Sequence, residues 1–416
     1  MTEYYVDDAA VGANNGSSPA DAWTSVTSIV TTASGDNVNF AVGSGPYYGR
    51  LNVNRHGANF LLNGCEITGA RDASESAYQW TQSSGGVNEW YLEASGGGDP
   101  SLVQAKCVTV DGWAFIVSAE ASHTIGTPGS LADGFPGWGD NDSLGYNTVY
   151  IRSTNPNVLT VKFAQIDRII DTGNGFWDLY DGILSYANLD LILANREGCT
   201  INDMILAYCD SSGIVPSNFT VSDIKINHCL TYWAGHNGIT QATFGNTVVV
   251  EGHIDYGSHL GVRVNSDVPA GGSMTIRNSI IANGEAGAIS VDNAVSTFVE
   301  TNNCFYPRMT AGGGAIGYLG TANWATTDST DFPPSHATTE TNQANTVNPE
   351  FTAVSDNGYW LCDFSLKAAS TIGEGGLPGW ASAGPRPNDK NGEPWCDTPS
   401  LGNTQSINSP NHPNQL

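Results

Sequence analysis

The sequence predicts an all-β solenoid, and two observations carry that prediction. The first is a repeat of about 25 residues between positions 200 and 290. Three segments align on an apolar first residue: INDMILAYCDSSGI (Ile201–Ile214), INHCLTYWAGHNGI (Ile226–Ile239) and IRNSIIANGEAGAI (Ile276–Ile289). Between the last two lies VEGHIDYGSHLGV (Val250–Val262), one residue shorter, so that the starts fall 25, 24 and 26 residues apart. Each unit has an apolar cluster, a polar turn near its middle, a glycine and an apolar close. A unit this short cannot bury its own apolar face, so neighbours must stack. The second observation is composition. Only 13% of the 416 residues are charged, yet 11 Trp, 16 Tyr and 13 Phe supply ample apolar surface, which excludes a disordered chain.

The elements follow in order. Residues 1–64 read as an N-terminal cap and first strands: YYVD is a short strand, a Gly/Asn/Ser-rich loop follows, and DAWTSVTSIVTTA is predicted as one short helix with Asp21 as its N-cap. NVNFAVGSGPYYG and LNVN alternate as strands. Residues 65–165 carry short Trp- and Tyr-rich runs (YQWTQ, NEWYLEA, KCVTVDGWAFIVSA, NTVYIRST, VLTVKFA) and read as an antiparallel β insertion. Residues 166–310 hold the regular rungs. Residues 311–395 read as the last rungs with a long polar excursion at 311–345, and residues 396–416 as a C-terminal tail without an apolar face.

Two phrases bracket this pattern and carry a family resemblance. YYVDDAAVGANNGSSPADAWTSV resembles the opening of right-handed parallel β-helix proteins of the pectin-lyase-like class: a strand, a Gly/Asn/Ser loop, a Pro-Ala-x-x-Trp phrase and a capping helix. NPEFTAVSDNGYWLCDFSLKAASTIGEGG is similar to the closing phrase of that class, and PRPNDKNGEPWCDTPSLGNTQS to its last segment. The resemblance implies a right-handed parallel β-helix with an N-terminal cap helix and an antiparallel β insertion flanking the early rungs. It looks most like bacteriophage tailspikes and polysaccharide-binding or polysaccharide-degrading members. The acidic cluster and arginine base of pectate lyases have no clear equivalent here.

Net charge and cysteines narrow the partners. A formal charge of −26 argues against nucleic acid and anionic membranes, which require clustered Lys and Arg. No apolar run approaches the ~18 residues of a membrane span. The eight cysteines form no CxxC pair, and several sit inside apolar runs, so buried reduced thiols are expected rather than disulfides or zinc. MTEYYVDD has neither a basic n-region nor an apolar h-region, so no secretory signal is expected.

In a stack of rungs like positions lie ~4.8 Å apart, so a column read down the repeats is a surface feature. The mid-unit turn places Asp210, His236, His259 and Glu285 along one edge as candidate catalytic groups. His259 joins that edge if the one-residue deletion precedes it. Tyr208, Trp233 and Tyr256 form an adjacent aromatic column, with Asn237 and Arg263 nearby, as candidate substrate-binding groups. Aromatic faces accept sugar C–H surfaces, and carboxylates or imidazoles transfer protons at a glycosidic bond. The plainer alternative is that these polar residues cap neighbouring turns and the aromatics pack an edge. No metal site is expected; calcium is the alternative, at Asp178 and Asp181 or at Asp7 and Asp8.

The expected function is a homotrimeric virion spike, assembled in a host cytoplasm with other virion proteins, that recognises host-surface polysaccharide and in one version cleaves it. The alternatives are a free-standing extracellular polysaccharide lyase or glycoside hydrolase, and a non-catalytic structural or decoration β-helix of a virion.

Overall fold

The computed structural model is a parallel β-solenoid with an antiparallel insertion. It describes residues 2–29, 35–51, 53, 57–93, 105–117, 126–134, 136–139, 148–171, 177–194, 198–217, 223–241, 247–264, 273–282, 284, 287–291, 297–301, 303–306, 317–319, 322–324, 337–341, 351–353 and 363–366. Each full rung contributes one strand to each of three rows. Row one runs through Glu3–Val6, Asn37–Phe40, Ala58–Leu61, the first halves of Trp177–Ala187 and Cys199–Cys209, then Asp223–Asn227, Thr247–Glu251, Ser273–Arg277, Thr297–Thr301 and Ala337–Thr341. Row two takes Tyr47–Tyr48, Glu66–Thr68, the second halves of the two long strands, Leu230–Ala234, Ile254–Tyr256, Ile280–Ala282 and Cys304–Tyr306. Row three takes Ile170–Asp171, Ile192–Ala194, Ser212–Pro216, Asn237–Gln241, Leu260–Val264, Gly287–Val291 and Gly317–Leu319.

The register is the one the repeat dictates. Ile201 pairs Ile226, Ile226 pairs Val250, and Val250 pairs Ile276, so the four aligned starts form one ladder. With Leu179 they make an interior column, each member fully buried. A second interior column runs Trp177, Cys199, Ile224, Val248, Met274, Phe298. Each such aliphatic side chain contributes about 1.5–3 kcal/mol by leaving water, and only stacking makes that burial available.

Two corners turn by residues in left-handed backbone. Between rows one and two these are Asp181, Asp203, His228, Gly252 and Asn278, at φ between 48° and 60°. Between rows two and three they are Tyr186, Tyr208, Trp233 and Gly257, at φ between 54° and 78°. Stacking the same strained conformation rung upon rung lets each turn's neighbours hold it in place.

The insertion spans the antiparallel strands from Ala70–Asp72 to Val161–Ala164, in two four-stranded sheets. Its hairpin of Cys107–Val110 and Trp113–Ile116 lies on the outer face of row two. Thr109 Oγ1 and Tyr186 Oη share a 2.7 Å hydrogen bond, the Lys106 amide donates to Asn188 Oδ1 at 2.9 Å, and Lys106 Nζ lies 4.0 Å from Asp210 Oδ2. Row two is therefore covered on both faces, as parallel strands generally are.

Two expectations need correction. The predicted cap helix is a single 3-10 turn, Val26–Ser28, capped by Ser25, whose Oγ accepts from the Thr27 amide. Threonine, serine and valine in that run favour extended backbone, and Trp23 bridges Val6 as part of the first rung. Asp21 instead ties the preceding loop, accepting from the Ala13 amide at 2.8 Å and from Ser18 Oγ at 2.9 Å. Within residues 311–345, Gly317–Leu319 extends row three and Ala337–Thr341 extends row one. The tail at 396–416 lies outside the described residues. The cysteines are as expected where described, with Cys65, Cys107, Cys199, Cys209 and Cys229 free and buried.

Candidate functional site

The edge singled out in the sequence is the corner between rows two and three. His236 and His259 do stack there: each directly precedes its row-three strand, Asn237 pairs Leu260, and the Leu260 amide donates to the His236 carbonyl at 2.7 Å. His236 is exposed and His259 half-buried. Arg263 is half-buried on row three, flanked by Thr240 and Ser290 on the adjoining strands. Asp210 is 3% exposed and turned toward Lys106, away from the two histidines' solvent edge. Asn237 is 4% exposed, its amide 3.5 Å from Ser212 Oγ, which in turn meets Thr240 Oγ1 at 3.0 Å. Glu285 lies outside the described residues.

The aromatic column differs from the expectation in register and in exposure. The deletion in the third unit falls between Tyr256 and Leu260, so Tyr256 pairs Tyr232, while the position after Tyr232, Trp233, is matched by Gly257. Tyr208, Trp233 and Tyr256 are 0%, 2% and 8% exposed and belong to one buried cluster with Cys107, Ala114 and Ile116 of the insertion hairpin. Tyr232 stacks on Tyr256 at 5.9 Å and meets Tyr208 edge-on at 5.6 Å. In this arrangement the rings cement the insertion to the solenoid and offer no face to a sugar.

A different corner assembles ionisable groups at the surface. Between rows one and two, four consecutive rungs present Asp203, His228, Glu251 and Arg277. His228 Nδ1 lies 3.7 Å from Asp203 Oδ1. Arg277 Nη2 donates to Glu251 Oε2 at 2.6 Å, and Asn278 Nδ2 lies 3.4 Å from Glu251 Oε1. The His228 amide donates to the Glu251 carbonyl at 2.8 Å, which fixes the two rungs against each other. Side-chain exposure is 36% for Asp203, 18% for His228, 7% for Glu251 and 39% for Arg277. Burial pushes the Glu251 carboxyl above the usual carboxylate range, although the Arg277 guanidinium and His228 pull the other way. The ladder thus holds a largely buried carboxyl against a guanidinium, with an open carboxylate two rungs away.

This ladder was printed in the aligned repeats: the second and third positions read Asn-Asp, Asn-His, Glu-Gly and Arg-Asn in successive units. The signal lay one turn earlier than the turn that drew attention.

A third group of polar residues lies inside the solenoid. The interior column of row two runs Ile67, Leu184, Leu206, Thr231, Asp255, Ile281, Phe305, so a carboxyl and a hydroxyl interrupt a hydrocarbon stack. Asp255 and His253 are both fully buried. Ser258 Oγ donates to Asp255 Oδ2 at 2.8 Å, and His253 Nε2 lies 3.4 Å from Thr231 Oγ1. Burial pushes the Asp255 carboxyl well above its ordinary range and the His253 imidazole down to about 3, so each is driven toward its uncharged form. Room for Asp255 comes from Gly238, where a Cβ would collide with Asp255 Oδ2.

Among the described residues no group of three or more His, Cys, Asp or Glu is arranged to hold a metal. Asp178, one of the carboxylates considered for calcium, spends Oδ1 on the Thr200 amide at 2.9 Å and Oδ2 on Tyr180 Oη at 3.3 Å. Asp7 accepts from the Ala9 amide at 2.9 Å. No helix is long and apolar enough to cross a membrane among the described residues.

No protein-family profile matches the chain, and no curated protein matches it. Three solved structures are similar in chain path. A complex of XylC with xylose has a TM-score of 0.40 at 10% identity, covering 74% of this chain and 76% of that one. A glycoside hydrolase has a TM-score of 0.38 at 8% identity, covering 78% and 96%. The pectate lyase Pel9A has a TM-score of 0.37 at 12% identity, covering 97% and 96%. At these values no residue role transfers to this chain.

Proposed function

We propose that this solenoid recognises and cleaves an extended polysaccharide laid across the corner between rows one and two. The observation that carries the reading is the Asp203–His228–Glu251–Arg277 ladder. A periodic polymer suits a periodic surface, on which like positions recur every ~4.8 Å. Glu251, whose carboxyl burial pushes above the usual carboxylate range, is the proton donor to a leaving glycosidic oxygen. Asp203, the more open carboxylate and held next to His228, is the base. Two rungs separate Asp203 from Glu251, an axial rise of roughly 9–10 Å. That favours the wide carboxylate spacing in which water attacks, roughly 6.5–9.5 Å, over direct attack by a carboxylate. Arg277 tunes Glu251 and offers its exposed edge to sugar oxygens. The alternative acid–base pair, His236 and His259, sits at the other corner.

Display on a virion as a homotrimer is a proposed setting for this activity. It is supported by the free, buried cysteines, which fit assembly in a reducing compartment. Light scattering tests it: a mass of three chains supports the trimeric spike, and a single 43.8 kDa species favours the free-standing enzyme. Cleavage is tested by incubating the protein with bacterial capsular, lipopolysaccharide and plant polysaccharides. Hydrolysis gives new reducing ends, and elimination would also give ultraviolet absorbance from unsaturated sugars. No new ends on any of them removes the cleavage reading.

A further inference from the structure

The insertion holds a cleft of about 370 Å³ that none of the rung-face chemistry uses. It lies where the loop after Ala70–Asp72, the strand Glu89–Glu93 and the short 3-10 turn Pro156–Val158 meet, and its walls include Trp80, Trp90, Leu159, Gln79 and Asn157. Its volume is at the small end of ligand sites, which run roughly 300–1,000 Å³. Gln82 pairs Trp90 across the antiparallel strands, so Trp80, two residues earlier, is a diagonal neighbour of Trp90 on the same face. Both rings are half-buried and packed on the insertion core, and Trp90 Nε1 is fixed by the Ser153 carbonyl at 2.9 Å. Two half-buried indoles, packed on the core behind them, therefore line the cleft.

We infer that this cleft binds the sugar rings of an uncharged glycan. Three features select that occupant. Indole faces accept the C–H surface of a pyranose. Gln79 and Asn157 are exposed, and among the described residues no hydrogen bond occupies either side-chain amide, so both can donate to and accept from hydroxyls. The lining contains no ionised side chain, and the chain's charge of −26 opposes a polyanion where no cation is present to receive it. The inference rests on the glycan reading above, but assigns a separate anchoring site to the insertion rather than to the rungs.

The test titrates the full chain with cellohexaose, xylohexaose, mannohexaose and hexagalacturonate, following tryptophan emission and heat. At least one neutral hexamer should bind, hexagalacturonate should not compete, and Trp80→Ala should weaken binding about fivefold or more. Gln79→Ala/Asn157→Ala, both at exposed positions, guards against a folding defect and should weaken binding about threefold with unchanged melting. Trp113→Ala, at an exposed tryptophan elsewhere in the insertion, should bind as wild type. Failure of every neutral hexamer to bind, equal binding by the wild type and both cleft variants, or equal binding of hexagalacturonate would overturn the assignment. Glu251→Gln separates the two sites: it should lose turnover and keep hexamer binding. Turnover without hexamer binding sinks the cleft alone, and hexamer binding without turnover sinks the ladder alone.

Discussion

Replacing Asp255 by Asn should tilt the pH dependence of stability in a direction that identifies the buried carboxyl as neutral. An unfolded chain ionises this residue near 3.8, whereas burial holds the folded carboxyl protonated well above that. The unfolded state therefore binds fewer protons, and stability falls by about 1.4 kcal/mol for each pH unit above 3.8 until the folded carboxyl ionises. His253 has the opposite sign. Its folded value of about 3 lies below the unfolded 6.5, so its contribution is complete above 6.5 and is lost as pH falls toward 3. Between 3.8 and 6.5 the two slopes oppose each other and largely cancel. Asp255→Asn removes one of them. The stability of the variant minus that of the wild type should rise between pH 4 and pH 6, by up to about 2.4 kcal/mol. The new amide faces a place where Asp255 Oδ1 has no hydrogen-bond partner, which costs about 1–3 kcal/mol at every pH and shifts the difference without tilting it. Urea unfolding followed by tryptophan fluorescence at half-unit pH steps measures the difference, and subtraction cancels every group the two proteins share. A difference that stays flat, or falls as pH rises, refutes a neutral carboxyl in the solenoid interior.

Three further outcomes follow from the packing. Gly238→Ala should destabilise by about 2 kcal/mol or more in thermal unfolding, because its Cβ would strike Asp255 Oδ2 and lie 2.7 Å from the Gly261 carbonyl oxygen; Gly238→Ala combined with Asp255→Ala should recover part of the loss. Lys106→Met should cost about 1–3 kcal/mol by leaving the Asp210 carboxylate without its cation, and adding Asp210→Asn should return most of it; equal melting of all three proteins would show the pair to be inert. Leu206→Ala, at a fully buried position of the row-two column, should cost about 2–5 kcal/mol by denaturant titration.

The solenoid was legible because its signal is repeated. Ile201, Ile226, Val250 and Ile276 announce the ladder register by spacing alone, and the structure pairs those residues. The capping helix was misread because a loop phrase and one possible N-cap are a single local signal, and β-branched residues beside Trp23 decide for extended chain. The aromatic column failed for a different reason. Sequence periodicity says which residues stack but not what covers them, and Tyr208, Trp233 and Tyr256 lie under a hairpin drawn from residues 107–116, far earlier in the chain. The same gap hid Lys106 as the partner of Asp210. The ladder of Asp203, His228, Glu251 and Arg277 was available in the alignment but needed the corner geometry, which the left-handed turns at Asp203 and His228 set. Asp255 could have been found as the one acid in a column position that Leu206, Thr231 and Ile281 hold in other units.

The proton chemistry of that ladder is tested most directly by the rate of new reducing-end formation on the polysaccharide the wild type cleaves best, compared among wild type, Glu251→Gln and His236→Ala. The account predicts that Glu251→Gln falls by about 100-fold or more while keeping its melting temperature, as loss of a general acid requires, and that His236→Ala stays within about threefold of wild type. Undiminished turnover in Glu251→Gln, or a collapse in His236→Ala alone, would contradict it and move the chemistry to the corner between rows two and three.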